Sequence, residues 1–265
     1  MCYDISYQVP LETVEEYFGN IVFDDQQLQF DFDITIHILA QAFKKTLIVV
    51  HDGEVYRGKM SEWGLISRGM KTPELIKKRR SWMCNAQSER IVNDKASAWH
   101  SLRHQRCLIP VTGIFEHRGI KGWKNKVPYY VRLNDRQMFC IPGLYNYSPV
   151  PNPETGELVL THTLITRPAN SLMRQIHNDG ENAFRMPLFL PKDMEADWLD
   201  PNLSDEQMQE ILEYEMPSEE LNTYPVFSIR TTKLHPTGGL KTDPFDWPNL
   251  PPLGQDDGEL QKALF

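Results

Sequence analysis

The sequence lacks several features that mark specialised classes of protein. It has no run of about 18 apolar residues, so we expect no membrane span. Its first residues contain neither a basic nor an apolar stretch, so we expect no secretory signal peptide. No CxxC spacing occurs among the cysteines, which argues against a zinc site and a disulfide framework; they are Cys2, Cys84, Cys107 and Cys140. We therefore expect reduced thiols in a cytoplasmic protein that uses no metal and no cofactor.

The charge of the chain is unevenly distributed. The formal net charge of −8 argues at first against a nucleic-acid partner. Residues 51–140, however, carry 18 Lys and Arg against 8 Asp and Glu, whereas the remainder carries 10 against 28. A basic segment between acidic flanks is compatible with a phosphate-binding surface and equally with a solvated charged face. Charge alone leaves both interpretations open.

The apolar pattern predicts short strands with a few helices. The strand candidates are rich in β-branched and aromatic residues and are separated by Gly and Pro; they are 46–50, 107–111, 128–133, 138–145 and 161–166. Helices are predicted over 11–18, 72–80, 168–176, 192–199 and 204–215, the last with a capping-box pattern at Ser204 and Gln207. This mixture predicts an α+β fold, a single domain with a mixed, mainly antiparallel, barrel-like β core and peripheral helices.

The domain is predicted to cover residues 1–241. A chain of 265 residues with 40% apolar residues can bury a core of useful size. Residues 242–265 form a tail rich in Pro, Gly and Asp. Such a composition is typical of an extended or disordered segment.

Cys2 has chemistry that depends on its position. Met1 can be removed by a processing enzyme or by self-cleavage. Cys2 then carries a free α-amine with a pKa of about 8 and a thiol with a pKa of about 8.5. The amine of such an aminothiol forms a Schiff base with an aldehyde, and the thiol then closes a five-membered thiazolidine ring. The ring-opened sugar of an abasic site in DNA presents such an aldehyde. The alternative is that Cys2 merely follows the initiator methionine.

Three further segments combine residues suited to this chemistry. The first is CNAQSE (84–89), which follows a predicted helix with a basic end. The second, PVTGIFEH (110–117), is a strand that leads through Gly113 to a carboxylate. The third is IHN (176–178), followed shortly by RMP (185–187). Schiff-base formation needs a neutral amine, so a carboxylate must accept a proton from it. Loss of water from the carbinolamine then needs a proton on the oxygen, which an imidazole can supply.

These segments, taken in order, resemble the SOS response-associated peptidase (SRAP) family, the abasic-site processing proteins. The resemblance runs from Cys2 to about residue 191. It includes the blocks WGLI (63–66), NAQSE (85–89), RCLIP (106–110), GIFE (113–116), PYY (128–130), GLY (143–145), TLIT (163–166) with Ala169-Asn170, IH (176–177) and RMP (185–187). Each block alone is weak evidence, but their ordered combination with Cys2 is highly specific.

The resemblance implies four site residues. Cys2 is the nucleophile and the crosslinking residue. Asn85 is expected to hold the N-terminal residue in place by hydrogen bonding. Glu116 is expected beside the α-amine, where a partly apolar setting raises a carboxyl pKa. His177 is expected to act as acid and base near the sugar oxygen and to aid ring opening. The alternative is a surface carboxylate and a histidine at a helix end.

The same resemblance implies DNA contacts, with some departures. Trp63 is expected to wedge against or stack on a base, and Thr166 to contact the DNA. Gln87 stands where the family usually has Arg, so a charge-assisted phosphate contact is lost. Lys95 occupies the place of a second basic contact, and a basic group nearby can compensate: Lys77, Lys78, Arg79 and Arg80. Trp82 and Trp99 are expected to pack in the core, and residues 179–184 form an insertion.

Three functions are compatible with the sequence. The first is an abasic-site sensor that crosslinks to single-stranded DNA and shields the lesion during the DNA damage response, with possible later reversal of lyase type. The second is a self-processing thiol peptidase or hydrolase. The third is a non-catalytic module that binds single-stranded DNA. We expect the first, acting as a monomer that associates with the nucleoid when bound to DNA.

Overall fold

The computed structural model describes residues 2–24 and 35–256 of the chain. Its strands are β1 (Asp4–Tyr7), β2 (Ile21–Phe23), β3 (Thr35–Leu39), β4 (Lys45–His51), β5 (Tyr56–Trp63), β6 (Asn85–Gln87), β7 (Arg106–Val111), β8 (Gly113–Arg118), β9 (Val127–Leu133), β10 (Phe139–Tyr147), β11 (Leu160–Pro168), β12 (Arg185–Pro187) and β13 (Leu221–Pro225). Its α-helices are α1 (Leu11–Phe18), α2 (Pro73–Arg79), α3 (Ala98–Ser101), α4 (Ser171–Ile176), α5 (Lys192–Trp198) and α6 (Asp205–Glu213). None of the helices in these residues is long and apolar enough to cross a membrane.

The larger sheet closes on itself. Its strands follow the order β12-β11-β10-β7-β4-β5-β2, and β11 also pairs in parallel with β5. Strands β11, β10, β7, β4 and β5 therefore form a ring, which leaves these strands no exposed edge. Most pairings are antiparallel; the parallel ones are β2 with β5, β6 with β11 and β5 with β11. The predicted α+β fold with a mixed, mainly antiparallel and barrel-like core is confirmed.

The smaller sheet holds the start of the chain in its interior. Its five antiparallel strands follow the order β13-β9-β8-β1-β3. The register of β1 with β8 places Asp4 opposite Phe115 and Ser6 opposite Gly113. Only Thr112 separates β7 of the barrel from β8, and its N–H donates to the Ser6 carbonyl at 2.8 Å. Strand β1 thus lies where the two sheets meet.

The helices begin where the sequence offers a capping side chain. Thr72 accepts a hydrogen bond from the Leu75 N–H before α2, and Asn170 caps α4 in the same way. Ser204 and Gln207 form the predicted capping box at the start of α6. The predicted helices therefore agree with the observed ones to within a few residues at their ends.

The tryptophans of the basic segment occupy different environments. Trp63 and Trp99 are buried, with 1% and 6% of their surface exposed, whereas Trp82 is 66% exposed. The expectation that Trp82 packs in the core is therefore wrong. Trp82 lies in the 3₁₀ turn Arg80–Met83, which connects α2 to β6 at the surface.

The described part of the tail packs against the domain. Residues 242–256 form neither a helix nor a strand, but they cover the side chain of Arg118, which is fully buried. The Arg118 guanidinium donates to the Pro251 carbonyl at 2.8 Å and to the Asp256 carboxylate at 2.9 Å. Of the two expected alternatives, an extended or a disordered tail, disorder does not describe this segment, because it supplies partners of a buried cation. Residues 257–265 lie outside the described residues.

Candidate active site

Strand pairing at the start of the chain brings Cys2 beside Glu116. Cys2 lies two residues before the start of β1, and Asp4 of β1 pairs with Phe115, the residue before Glu116. The Cys2 and Glu116 side chains are 0% and 4% exposed. Burial, and after it the Glu116 carboxylate, raises the pKa of the Cys2 thiol well above its ordinary value. The thiol is therefore neutral at pH 7 and lies next to a carboxyl group.

Glu116 is a buried carboxyl group with incomplete hydrogen bonding. Burial raises its pKa from 4.5 to about 7, so its acid and its base form coexist near neutral pH. Within the part of the chain that the structure describes, its Oε1 atom has no hydrogen-bond partner. A buried polar atom left unpaired costs about 1–3 kcal/mol. Such a cost, in a group able to exchange a proton at pH 7, indicates a functional site rather than a structural one.

Asn85 is the second side chain with unpaired polar atoms in this region. It is 4% exposed at the start of β6, where it pairs with Leu164 of β11. Neither Oδ1 nor Nδ2 has a hydrogen-bond partner among the described residues. Burial first, and then Cys84 and Cys2, raise the pKa of the Tyr3 hydroxyl. Cys84, the residue before Asn85, and Cys2 therefore both lie near this hydroxyl. Asn85 thus offers one donor and one acceptor that the fold leaves unused.

Replacement of Asn85 is expected to cost the fold little. Asn85→Ala removes two unpaired buried atoms, so the free energy of unfolding should stay within about 0.5 kcal/mol of the wild type or increase. Asn146→Ala is the matched control, because Asn146 is also buried but donates to the Ile66 carbonyl at 2.8 Å. The control should lose about 1–2 kcal/mol. Urea unfolding of both variants measures the difference; an equal loss in both would contradict an unused amide at Asn85.

His177 is held at the end of α4 by the backbone of Arg185. Its Nδ1 lies 2.7 Å from the Arg185 carbonyl and 3.3 Å from the Arg185 N–H, and the shorter contact, to a group that can only accept, favours a hydrogen on Nδ1. His177 is 8% exposed, and burial lowers its pKa to about 4. The imidazole is therefore neutral at pH 7, in the form that can accept a proton.

A clamp joins the His177 segment to the strand that carries Glu116. The Gly119 N–H donates to Asn178 Oδ1 at 2.8 Å, and Asn178 Nδ2 donates to the Gly119 carbonyl at 2.9 Å. A Cβ atom at Gly119 would lie 2.8 Å from Asp179 Cβ, so a larger residue would push the two segments apart. This close contact sets the position of α4 and its histidine relative to β8.

A charged cluster supports the strand that follows Cys2. Asp4 is 1% exposed and accepts hydrogen bonds from His37 at 2.7 Å and from Arg230. Burial opposes ionisation, but the two hydrogen bonds outweigh it and lower the pKa of Asp4. Arg230 also acts electrostatically on Glu116 and Cys2. None of these three residues was predicted from the sequence, where the only signal is an acidic residue at the start of the short strand DISY.

Two of the expected DNA contacts are buried. The Trp63 indole N–H donates to the Cys84 carbonyl at 2.8 Å, and its ring stacks on His162. The Trp63 ring is therefore covered in this structure, and its contact with a base stays a prediction. Thr166 is fully buried, and its hydroxyl donates to the Ala86 carbonyl at 3.4 Å. Its side chain is therefore not presented to a phosphate.

The basic residues near the site differ in availability. Three cations on the last turn of α2 are exposed: Lys77, Lys78 and Arg79. Arg80 is engaged instead, because it donates to Glu62 at 2.6 Å and to the Gly64 carbonyl at 2.8 Å. Its predicted role as a DNA contact is therefore not supported. Lys95 is exposed, as a phosphate contact requires.

An open depression leads from the surface to Asn85. Its volume is about 310 Å³, and Trp82, Gln87 and Arg90 contribute to its lining. Gln87 is half-buried on β6 and offers an uncharged amide there. Among residues 2–24 and 35–256, no group of three or more His, Cys, Asp or Glu side chains is arranged to hold a metal ion.

Comparison with known proteins gives a consistent result. The family model "SOS response associated peptidase (SRAP)" matches residues 1–229. The abasic site processing protein YoqW of Bacillus subtilis is 30% identical over 183 residues, which cover 69% of this chain and 75% of that protein. The abasic site processing protein YoaM of the same organism is 30% identical over 184 residues, or 69% and 74% of the two chains.

Solved structures show the same architecture. A protein from Bacteroides thetaiotaomicron superposes with a TM-score of 0.74 at 27% identity, covering 85% of this chain and 92% of that one. A protein from Bordetella bronchiseptica superposes with a TM-score of 0.67 at 20% identity, covering 85% and 99%. The second likeness supports the fold alone.

Proposed function

Because the chain belongs to the SRAP family, we propose that it processes abasic sites in single-stranded DNA by capturing them covalently through Cys2. One observation carries the proposal: the Cys2 thiol lies beside a buried carboxyl group whose pKa is about 7. This carboxyl group can accept and return a proton at physiological pH. The curated relatives named as abasic site processing proteins support the substrate class.

The proposed reaction begins after Met1 has been removed. The Cys2 α-amine attacks the aldehyde carbon of the ring-opened sugar to give a carbinolamine. Loss of water gives an imine, and the thiol sulfur then adds to the imine carbon. The thiol proton passes to the nitrogen, so the aminothiol and the aldehyde yield a thiazolidine and one water molecule. No oxidant or reductant is consumed.

The site residues divide this proton transfer between them. Glu116 takes a proton from the attacking amine and returns it to the departing hydroxyl, which its pKa of about 7 permits. His177 accepts a proton at Nε2 during opening of the sugar ring, because its Nδ1 hydrogen is bound to the Arg185 carbonyl. Asn85 uses its unpaired amide to hold the terminal residue or the sugar. The exposed cations on α2 and Lys95 attract the DNA backbone.

The main test is direct. The purified protein is incubated with a single-stranded oligonucleotide that contains one abasic site, and the mixture is run on a denaturing gel and analysed by intact-mass spectrometry. The adduct should have the mass of the protein without Met1 plus the DNA minus one water. An adduct that retains Met1, or complete absence of an adduct, would overturn the proposal.

Replacement of His177 should slow the reaction without altering the chemistry of the product. His177→Ala removes the neutral base, and loss of one positioned acid–base group lowers rates by about 10²–10⁴-fold. The buried His162 supplies a control, since it contacts Ser61 and Thr46 in the barrel and not the site. His162→Asn should keep the capture rate if it folds, as measured by circular dichroism. Initial rates of adduct formation at pH 7 distinguish the two; an unchanged rate in His177→Ala would remove this residue from the mechanism.

Two other functions are less well supported. A general thiol peptidase attacks with a thiolate, but burial raises the pKa of the Cys2 thiol; in the proposed capture the amine attacks first, and the thiol is needed only to close the ring. A non-catalytic DNA-binding module has no use for Glu116, whose unpaired oxygen destabilises the fold. Cleavage at Met1 by the protein itself remains compatible with the proposed capture reaction, because it exposes the α-amine that the reaction requires.

A further inference from the structure

Two separate open cavities adjoin the segment that carries His177. One is the depression that leads to Asn85, with Trp82 and Asn182 in its lining; we call it the Trp82 depression. The other is a wider cleft of about 630 Å³ that includes Asn178 and Phe184; we call it the Phe184 cleft. The two cavities share no lining residue, although the insertion at 179–184 and its neighbours contribute to both.

Each cavity contains one exposed aromatic side chain. Among the described residues, three large aromatic side chains are exposed: Trp82, Phe184 and Tyr147. Trp82 and Phe184 line the two cavities, whereas Tyr147 lies at the end of β10 and lines neither. Exposure of large aromatic rings next to a functional site is typical of a binding surface.

Phe184 is held in an unfavourable backbone conformation. Its φ angle is +61°, in the left-handed region that bulky residues rarely adopt. Its N–H donates to the His177 carbonyl at 2.7 Å, and its carbonyl accepts from the Ala169 N–H at 2.9 Å, so both backbone groups are fixed. The side chain is 43% exposed and lies against the Arg174 guanidinium, 4.6 Å from the ring centroid. The fold thus holds an exposed ring in place beside the proposed base.

Both cavities also carry positive charge. Arg90, which also donates to Asp94 at 2.9 Å, lines the Trp82 depression, and Arg174 and Lys121 line the Phe184 cleft together with Asp256. Single-stranded nucleic acid is bound in general by cations that follow the backbone and by aromatic rings on which bases stack. The two cavities therefore combine cations with one exposed ring each, next to the same segment.

From this arrangement we propose that Trp82 and Phe184 each stack on one nucleobase, on opposite sides of the abasic nucleotide. This inference rests on the proposed function, since it assumes an abasic strand at His177. The DNA would enter through one cavity and leave through the other, with the baseless sugar at the segment between them. Because stacking accepts any base, the two rings select for a flexible single strand and not for a sequence.

The test uses oligonucleotides of equal length with the abasic site in the middle, at the 5′ end or at the 3′ end. Trp82→Ala should raise the DNA concentration for half-maximal capture by roughly tenfold on the central site and on one end-placed site. Phe184→Ala should do the same on the central site and on the opposite end-placed site. The limiting rate at saturating DNA should remain near that of the wild type in both. Tyr147→Ala is the matched control and should change neither quantity, while Trp82→Phe and Phe184→Tyr should restore binding.

Three outcomes would overturn the two-ring arrangement. Both alanine variants could bind the same end-placed site more weakly, or neither variant could bind any oligonucleotide more weakly. The limiting rate could also fall while the DNA concentration for half-maximal capture stays unchanged. Failure of the proposed function gives a different result, since the wild type would then form no adduct with any of the oligonucleotides. In that event fluorescence anisotropy with intact single strands still tests whether the Trp82 and Phe184 rings bind DNA. Weaker DNA binding by Trp82→Ala and Phe184→Ala, but not by Tyr147→Ala, supports stacking on these rings. Equal DNA binding by all three variants refutes it.

Discussion

Replacing Cys2 with alanine is expected to abolish the DNA adduct that survives a denaturing gel. The variant has an α-amine but no sulfur, so any imine it forms remains open to hydrolysis. We expect a loss on the order of 10³-fold or more in stable adduct, because without the sulfur the imine cannot close to the thiazolidine ring. A stable band of wild-type intensity in Cys2→Ala would refute the thiazolidine.

A second substitution separates the amine from the sulfur. Cys2→Ser should give an adduct only when borohydride is added, because reduction converts the transient imine into a stable C–N single bond. Cys107→Ala is the control, since Cys107 is a fully buried thiol of the barrel whose pKa burial raises strongly. This variant should crosslink at the wild-type rate. Gel densitometry with and without borohydride measures all three.

Replacing Glu116 with glutamine is expected to slow capture and stabilise the fold at the same time. Loss of one acid–base group should lower the rate by about 10²–10⁴-fold. The wild-type rate should rise with pH through about 7 as Glu116 ionises, and the variant should lack this inflection. Initial rates of adduct formation between about pH 5 and 9 measure the lower rate and the missing inflection. A second inflection at about pH 8, from the α-amine, should remain in both proteins.

The stability effect follows from the direction of the Glu116 pKa shift. Burial raises the pKa from 4.5 to about 7, so between these values the folded protein binds more protons than the unfolded chain. Stability therefore falls as pH rises through this window, by up to about 3 kcal/mol at pH 8. Glu116→Gln removes this loss, so at pH 8 it should be more stable than the wild type by about 1–3 kcal/mol, and near pH 5 about equal.

Glu195 offers a matched control for this result. It is also buried, and burial raises its pKa, but Arg136, Tyr17 and the Cys140 N–H donate hydrogen bonds to its oxygens. Its pKa is raised to about 7, as that of Glu116 is, but Glu195→Gln also removes a charged partner of the largely buried Arg136, which keeps only Asp135 as a charged partner among the described residues. Glu195→Gln should therefore gain less stability at pH 8 than Glu116→Gln, and its capture rate should be unchanged. Urea unfolding of both variants measures the difference; destabilisation by Glu116→Gln at pH 8 would contradict the unpaired carboxyl group.

The sequence predicted those parts of the fold whose signals are local. Strands β4 and β7 are continuous β-branched or apolar runs, because they lie in the barrel with both faces covered. Helix α6 has its own cap. Strands β1, β6 and β12 are short and partly polar, and they are strands only through their pairing partners. Pairing between distant segments leaves no periodicity in the sequence, so these strands could not be predicted.

The candidate site was predictable in its residues and not in their surroundings. The ordered motifs identified Cys2, Asn85, Glu116 and His177, whose roles stay predictions. Exposure was predicted poorly: Trp63 belongs to a family motif but is buried, and Trp82 has no motif but lies at the surface. Burial depends on which segments cover a side chain, and those segments are far apart in the chain.

The interior position of β1 has a consequence for biosynthesis. Its neighbour β8 emerges from the ribosome roughly 110 residues later, which at about 5–20 residues per second is an interval of several seconds or more. During that interval the first residues have no completed sheet to join and are open to co-translational enzymes. Once β8 has paired with β1, the first residues are held in the sheet and are no longer an extended chain that a processing enzyme can bind. We therefore expect removal of Met1 by another enzyme to take place on the nascent chain.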